Sequence, residues 1–217
     1  MSKGKLIILS GFSGSGKGTV VNGLLERYDD YAISISATTR NPREGEINGV
    51  HYYFKTPEEF QTMIENDEFI EYATFVSNSY GTPKEFVEKK LEEGINVILE
   101  IEVQGALKVK EKMPDTVMVF IIPPTARILH DRLVGRGTEE LDVVHGRLRR
   151  AIDESDFIKK YDYVIINDDL NECITNVNDT IHGNTNNETE NIITDKKVID
   201  EFADNFKNEL SSLLEGE

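Results

Sequence analysis

The sequence predicts an α/β protein: a parallel sheet flanked by helices around a phosphate loop, with a small mixed α/β lobe inserted and a helical lid. Three observations predict it. The apolar runs at residues 6–9, 97–99, 117–122 and 164–166 have the length and composition of strands buried on both faces. Helical patterns fall between them, at residues 20–28, 104–113, 126–134 and 170–181. A glycine-rich turn, GFSGSGKGT at residues 11–19, joins the first strand to the first helix.

Taken in order, the alternating runs give a core of residues 1–35, 93–124 and 159–181. Residues 36–92 break the alternation with short aromatic-rich strands (YYF, FIEYATFV), and they form the inserted lobe. Two helix starts are expected there, at Thr56-Pro57-Glu58-Glu59 and Thr82-Pro83-Lys84-Glu85, each a capping threonine followed by proline at the first helical position. Residues 125–158 are rich in charge and glycine beyond the helix at 126–134, and read as a lid. From 182 to 197 the composition turns to Asn and Thr with acids, so low order is expected from about His182 to Asp195. A final amphipathic helix over 198–217 carries Val198, Ile199, Phe202, Phe206, Leu210, Leu213 and Leu214 at helical spacing and is ended by Gly216.

The composition excludes several classes. The chain has 24 Lys and Arg against 40 Asp and Glu, a net charge of −16, and residues 171–217 carry 11 acids and 3 bases, a net of −8 and so half of that total. Such a charge repels nucleic-acid backbones and anionic membranes at long range, so neither is an expected partner, and any phosphate site must be a local basic pocket. One cysteine, Cys173, cannot form an internal disulfide. The N-terminus has only a four-residue apolar run before Ser10, which argues against a secretory signal, and nowhere do eighteen apolar residues run together. A cytoplasmic protein is expected, with no obligate protein partner.

Within the turn, Gly11, Phe12, Ser13, Gly14, Ser15, Gly16, Lys17, Gly18 and Thr19 have the order of a nucleotide-binding phosphate loop. Glycines let successive N–H groups turn inward, the helix that follows adds its positive end, and Lys17 can reach the β and γ phosphates of a nucleoside triphosphate. One position departs from the general pattern. Gly18 follows Lys17, displacing the usual hydroxyl ligand for magnesium to Thr19, so Mg²⁺ is expected to be held by phosphates and water. A phosphate loop by itself leaves three reactions open: a GTPase switch, an ATP-driven motor or a small-molecule kinase.

ISISATTRNPREGEINGVHYYF then supplies Arg40 and Arg43, three apart, with Tyr52 close behind. Two planar, bidentate guanidinium groups near a tyrosine suit a monoester phosphate. Further on, FIEYATFVSNSYGTPKE places Glu71 in a strand-like run and Tyr80, Gly81 and Thr82 ahead of a helix.

These blocks, with VILEIEVQGA, RLVGRGTEE and VIINDDL, stand in the order and at the spacing of the guanylate kinases, and from about Lys5 to Leu170 the chain resembles that family. The bacterial form is the closer match, since eukaryotic members more often carry aspartates where this chain has Glu100 and Glu102. The resemblance implies transfer of the γ-phosphoryl group of ATP, with Mg²⁺, to GMP or dGMP, giving ADP and GDP for guanine nucleotide recycling and GTP supply. Residues 36–92 would then bind GMP. By motif position Arg40, Arg43, Tyr52 and Tyr80 would take its phosphate, while Ser36, Glu71 and Thr82 would read guanine. The chemistry suits Glu71, because guanine presents N1–H and a 2-amino group side by side to one carboxylate, and adenine has neither.

The run VILEIE is expected to place Glu100 and Glu102 on one face of a strand, where side chains alternate. The resemblance sets Glu102 near the GMP ribose and Glu100 near the metal, through water. In TARILHDRLVGRGTEE, Arg132 and Arg136 stand four apart, hence on one helical face, and Arg147 follows across the lid. With Lys17 they are the expected catalytic cations, since phosphoryl transfer needs positioning and cationic stabilisation of the moving group. Asn167 corresponds to a residue that contacts adenine in relatives. A competing class, a scaffold module of the same fold that binds phosphopeptides, typically lacks an intact phosphate loop, whereas this chain has Lys17.

Overall fold

The computed structural model describes residues 3–75, 77–135, 141–185 and 191–215. In chain order the first half holds β1 (Leu6–Gly11), α1 (Lys17–Arg27), β2 (Tyr31–Ile33), β3 (Ala37–Thr38), β4 (Tyr53–Phe54), α2 (Pro57–Glu65), β5 (Phe69–Phe75), β6 (Asn78–Pro83), α3 (Lys84–Glu92) and β7 (Asn96–Leu99). The second half holds α4 (Val103–Lys112), β8 (Val117–Ile122), α5 (Ala126–Val134), α6 (Leu141–Ile158), β9 (Tyr163–Ile166), α7 (Leu170–His182), β10 (Ile192–Ile193) and α8 (Lys196–Glu215). Six strands run in the order β10-β9-β8-β1-β7-β2 and four in the order β4-β3-β6-β5. The expected apolar runs become β1, β7, β8 and β9, and Ile7, Ile8, Val97, Ile98, Val119, Phe120, Ile121 and Val164 have no exposed surface. That is what strands covered on both faces require. Among the described residues no helix is long and apolar enough to cross a membrane.

Contacts divide the chain into two compact units, Met1–Ile8 with Tyr28–Val117 and Leu9–Arg27 with Met118–Glu217, so β1 passes from one to the other. In the first unit β2 and the start of β1 both pair in parallel with β7, while β5, β6 and β3 form an antiparallel ladder that ends in the parallel pair β3–β4. Its lobe has its own small core of Ala37, Phe60 and Phe69, with the two phenylalanine rings stacked at 4.6 Å. Helix α2 starts as its sequence predicts: the Thr56 hydroxyl accepts from Glu59 N–H and the Glu59 carboxylate accepts from Thr56 N–H, a reciprocal box with Pro57 behind the cap.

The second expected cap differs. Pro83, with extended backbone, precedes α3 and no side chain caps it, while Thr82 belongs to β6 and turns its hydroxyl to Glu71. The acids after β7 differ too. The strand ends at Leu99, where its pairing with β1 ends, so Glu100 lies beyond it and Glu102 sits at the cap position before α4. Both are exposed, on a strand-to-helix junction and not on one strand face.

In the second unit β8 and β9 run parallel, and β10 closes the edge antiparallel to β9 through Ile192 opposite Ile165 and Ile193 opposite Val164. That short strand falls inside the stretch expected to have low order, and Ile166 N–H also donates to Asn191 O at 2.9 Å. Helix α6 fills most of the expected lid, burying Val144, Leu148, Ala151, Ser155 and Ile158 at alternating spacings of four and three. Cys173 is buried in α7, and burial pushes its thiol up to about 12, so it stays a neutral thiol. Helix α8 packs on α5 and α6 with Ile199, Ala203, Phe206 and Leu210 inward, while Val198 is 47% exposed. Ala203 completes the stripe where the larger Val198 does not. Lys207–Asp156 and Lys159–Asp204 ion pairs, each 2.6 Å, flank it. Gly216, the expected end signal, lies outside the described residues.

Candidate active site

The second unit carries the phosphate loop. After β1 the chain turns at Phe12, whose carbonyl accepts from Ser15 N–H at 3.0 Å, and α1 begins at Lys17. Gly14 and Gly16 have φ of +90° and +88°, a left-handed backbone that side chains other than glycine's rarely adopt. At Gly16 a Cβ would also lie 2.4 Å from Asn167 Nδ2. The loop is therefore closed by its neighbours as well as by its own turns.

Three of the expected residues hold it. Asn167 is buried, and its Nδ2 donates to Ser15 O at 2.8 Å while its own N–H donates to Ile122 O at 2.7 Å. Arg132 Nη2 donates to Asn167 O at 2.9 Å, with Nη1 3.4 Å from Ser15 O. Arg147 Nη1, on α6, donates to Ser13 Oγ at 2.6 Å. The Asn167 amide nitrogen thus braces the loop backbone. Arg132 lies on α5, which runs to Val134, and the expected Arg136 lies outside the described residues. Phe12 is buried, edge-on to Phe120 at 5.1 Å and stacked on Phe206 of α8 at 5.6 Å. Gly11 packs so closely on β8 that a Cβ would meet Ile121 O at 2.4 Å. Gly18 and Thr19 are exposed on the first turn of α1.

The first unit carries two clusters. In one, Arg40 forms a two-pronged pair with Glu46, Nη2 to Oε1 at 2.8 Å and Nη1 to Oε2 at 3.0 Å, and Arg43 N–H donates to Glu46 Oε2 at 2.6 Å. Those hydrogen bonds hold the Glu46 carboxyl down at about 2 and raise the Arg40 guanidinium above its ordinary value. The Arg40 guanidinium also lies 5.4 Å from the Tyr52 ring, which meets Tyr80 at 6.2 Å. Burial, then the Tyr80 hydroxyl nearby, raises the Tyr52 phenol, which is therefore a proton donor. Arg40, Tyr52 and Tyr80 are brought together as the sequence leads one to expect. Glu46 was missed; its signal was an acid three residues after Arg43 in PREGE, placed to neutralise the pair.

In the other cluster Glu71 is only 5% exposed, and Thr82 donates to its Oε1 at 2.9 Å. A register shift between Phe69 and Glu71 makes this possible. Phe69 pairs with Pro83 and Glu71 with Thr82, so Ile70 is the extra residue of a bulge that re-aims the carboxylate. Burial raises the Glu71 carboxyl, with the Thr82 hydrogen bond and the Lys108 and Lys112 charges acting against it. Ser36 is half-buried, and its carbonyl accepts from Tyr53 N–H at 2.9 Å. A buried carboxylate needs partners, and the Thr82 hydroxyl supplies one.

Comparison with known proteins gives one answer. The family model described as guanylate kinase matches residues 3–184. A guanylate kinase of Caldanaerobacter subterraneus subsp. tengcongensis is 50% identical over 175 residues, 81% of this chain and 85% of that protein. One of Bacillus cereus is 53% identical over 169 residues, 77% of this chain and 82% of that protein. Among solved structures, the crystal structure of guanylate kinase from Anaplasma phagocytophilum covers 91% of this chain and 94% of its own, with 33% identity and a TM-score of 0.67.

Proposed function

Because this chain belongs to the guanylate kinase family, we propose how its residues divide the reaction in which the γ-phosphoryl group of ATP passes to GMP. The phosphate loop, from Gly11 to Thr19, cradles the ATP phosphates with its N–H groups, and Lys17 neutralises the β and γ phosphates. Arg132 and Arg147, already tied to the loop, and Arg136 stabilise the charge that spreads over the moving group. Asn167 sets the loop's shape, and so supports ATP from behind as much as by contact.

The acceptor is held by the other unit. Arg40, Arg43, Tyr52 and Tyr80 take the GMP phosphate, with the Glu46 carboxylate orienting Arg40. Glu71 accepts guanine N1–H and N2–H, Thr82 orients it, Ser36 adds a hydroxyl, and Glu102 receives the ribose. A phosphate oxygen of GMP then attacks the γ-phosphorus in line, and ADP leaves.

Magnesium enters with ATP as part of that substrate. Among the described residues no group of three or more His, Cys, Asp or Glu is placed to hold a metal ion. With Gly18 after Lys17, the donor set fits an ion carried by phosphates and water, with Glu100 reaching it through a water. When bound, it neutralises charge on the phosphates.

The observation that carries this reading is the Glu71 carboxylate, 95% enclosed and accepting a hydrogen bond from the Thr82 hydroxyl at 2.9 Å. ADP formation from ATP and Mg²⁺, with GMP, AMP, CMP or UMP added one at a time, tests it. GMP alone is expected to stimulate; equal stimulation by AMP would remove Glu71 as the selector.

A further inference from the structure

We infer that one stripe of α4, formed by Gly105, Lys108 and Lys112, positions the Glu71 carboxylate and thereby sets preference for a purine with a 2-amino group; this rests on the reading of Glu71 as the guanine acceptor. Residues three and four apart share a helical face, and this face packs on β5. Each of the three makes a separate contact around Glu71.

Gly105 provides the seat. A Cβ there would stand 3.1 Å from Glu71 Oε2 and 3.4 Å from its Cδ, so the carboxylate rests on helix backbone that only glycine leaves bare. The two lysines fix the strand on either side. Lys112 Nζ donates to Ile70 O at 2.8 Å and Lys108 Nζ to Tyr72 O at 3.1 Å, the carbonyls before and after Glu71. Ile70 is the bulged residue, where a strand is least constrained by its ladder, and Lys112 ties down that carbonyl. Seat and two ties together leave the carboxylate little freedom to shift.

Position matters here because a two-point acceptor must present both oxygens at hydrogen-bond distance at once. Making room for one methyl group needs a displacement of a few tenths of an ångström. That weakens the contact to the 2-amino group, which GMP has and IMP lacks. Loss of positioning therefore lowers GMP affinity more than IMP affinity, whereas general destabilisation lowers melting temperature and leaves their ratio alone.

The test is titration calorimetry of GMP and of IMP against the full chain without ATP, beside a melting curve. The chains compared are wild type, Gly105→Ala, Lys108→Met with Lys112→Met, Lys108→Arg with Lys112→Arg, and Glu71→Gln. Gly105→Ala is expected to weaken GMP binding about tenfold and cut the GMP-to-IMP preference about fivefold, a loosened rather than an abolished hydrogen bond. Its melting temperature should hold, since alanine favours a helix over glycine. The double methionine variant should cut the preference by about threefold and the double arginine should restore most of it, because arginine still donates to the carbonyls. An unchanged preference in both Gly105→Ala and the double methionine chain, with Glu71→Gln abolishing it, overturns the role of α4 and leaves Glu71 as the reader. An unchanged preference in Glu71→Gln overturns both. Should Gly105→Ala fail to fold, the double methionine chain decides by the same ratio.

Discussion

On the proposed division of roles, the two units build binding sites from different materials. In the second, the site is backbone: N–H groups of a loop whose curvature depends on Gly14 and Gly16, with Asn167 and Arg132 acting on carbonyls of the loop and its support. In the first, it is side chains held by other side chains, Arg40 by Glu46 and Glu71 by Thr82. A backbone cradle recognises any polyphosphate, since every residue offers the same N–H, whereas side chains distinguish one base from another. Donor binding and acceptor choice should therefore separate under mutation.

The largest separation is expected from Lys17→Ala. It removes the cation proposed for the β and γ phosphates, so turnover should fall by about 100-fold or more. GMP binding by calorimetry should stay within about twofold of wild type. A comparable loss of GMP affinity would break the division.

A second separation comes from Phe206, which reaches the phosphate loop through the Phe12 ring at 5.6 Å and contacts Phe202 at 6.0 Å. Phe206→Ala leaves a cavity behind the loop at a cost of about 3 kcal/mol, which lowers the melting temperature by roughly 6–12 °C. The KM for ATP should rise while that for GMP holds. Equal changes in both would make α8 a general stabiliser with no bias to the donor half.

How much of this was legible in the sequence follows the same divide. The turns of the loop at Gly14 and Gly16 were readable, because glycine spacing after an apolar run reports a backbone shape directly. The partners of the side chains were not. Thr82 looked like a helix cap because Thr-Pro usually is one, and only the bulge at Ile70, invisible in sequence, turns it toward Glu71. Glu46 escaped notice because an acid beside two arginines is ordinary on a surface. Glu100 and Glu102 were assigned a shared strand face from a pattern that ignored where β1 stops pairing with β7. The helical lid was legible as a charged segment, but the buried stripe of α6, Val144, Leu148, Ala151 and Ile158, was not, because a narrow stripe between charges leaves no apolar run.

The smallest effect concerns pH, and it sharpens the contrast because only the acceptor half should respond. Burial raises the Glu71 carboxyl above the usual carboxylate range. As pH falls through that raised value the group takes up a proton, and a protonated carboxyl can no longer accept both guanine hydrogens. Affinity for the base should therefore be full above the raised value and fall toward tenfold per pH unit below it. Guanosine is the right probe, having no phosphate of its own to titrate. The sign for folding is opposite: a raised folded-state value means a stabilising contribution present below the unfolded value and lost as pH rises through the folded one. Ionised Glu71 is then a cost that the free protein carries above that raised value, and Glu71→Gln should melt no lower than wild type there while its guanosine affinity becomes flat with pH. A Gln variant that melts lower would mean that the carboxylate holds the lobe together, and that its burial serves the fold before the substrate.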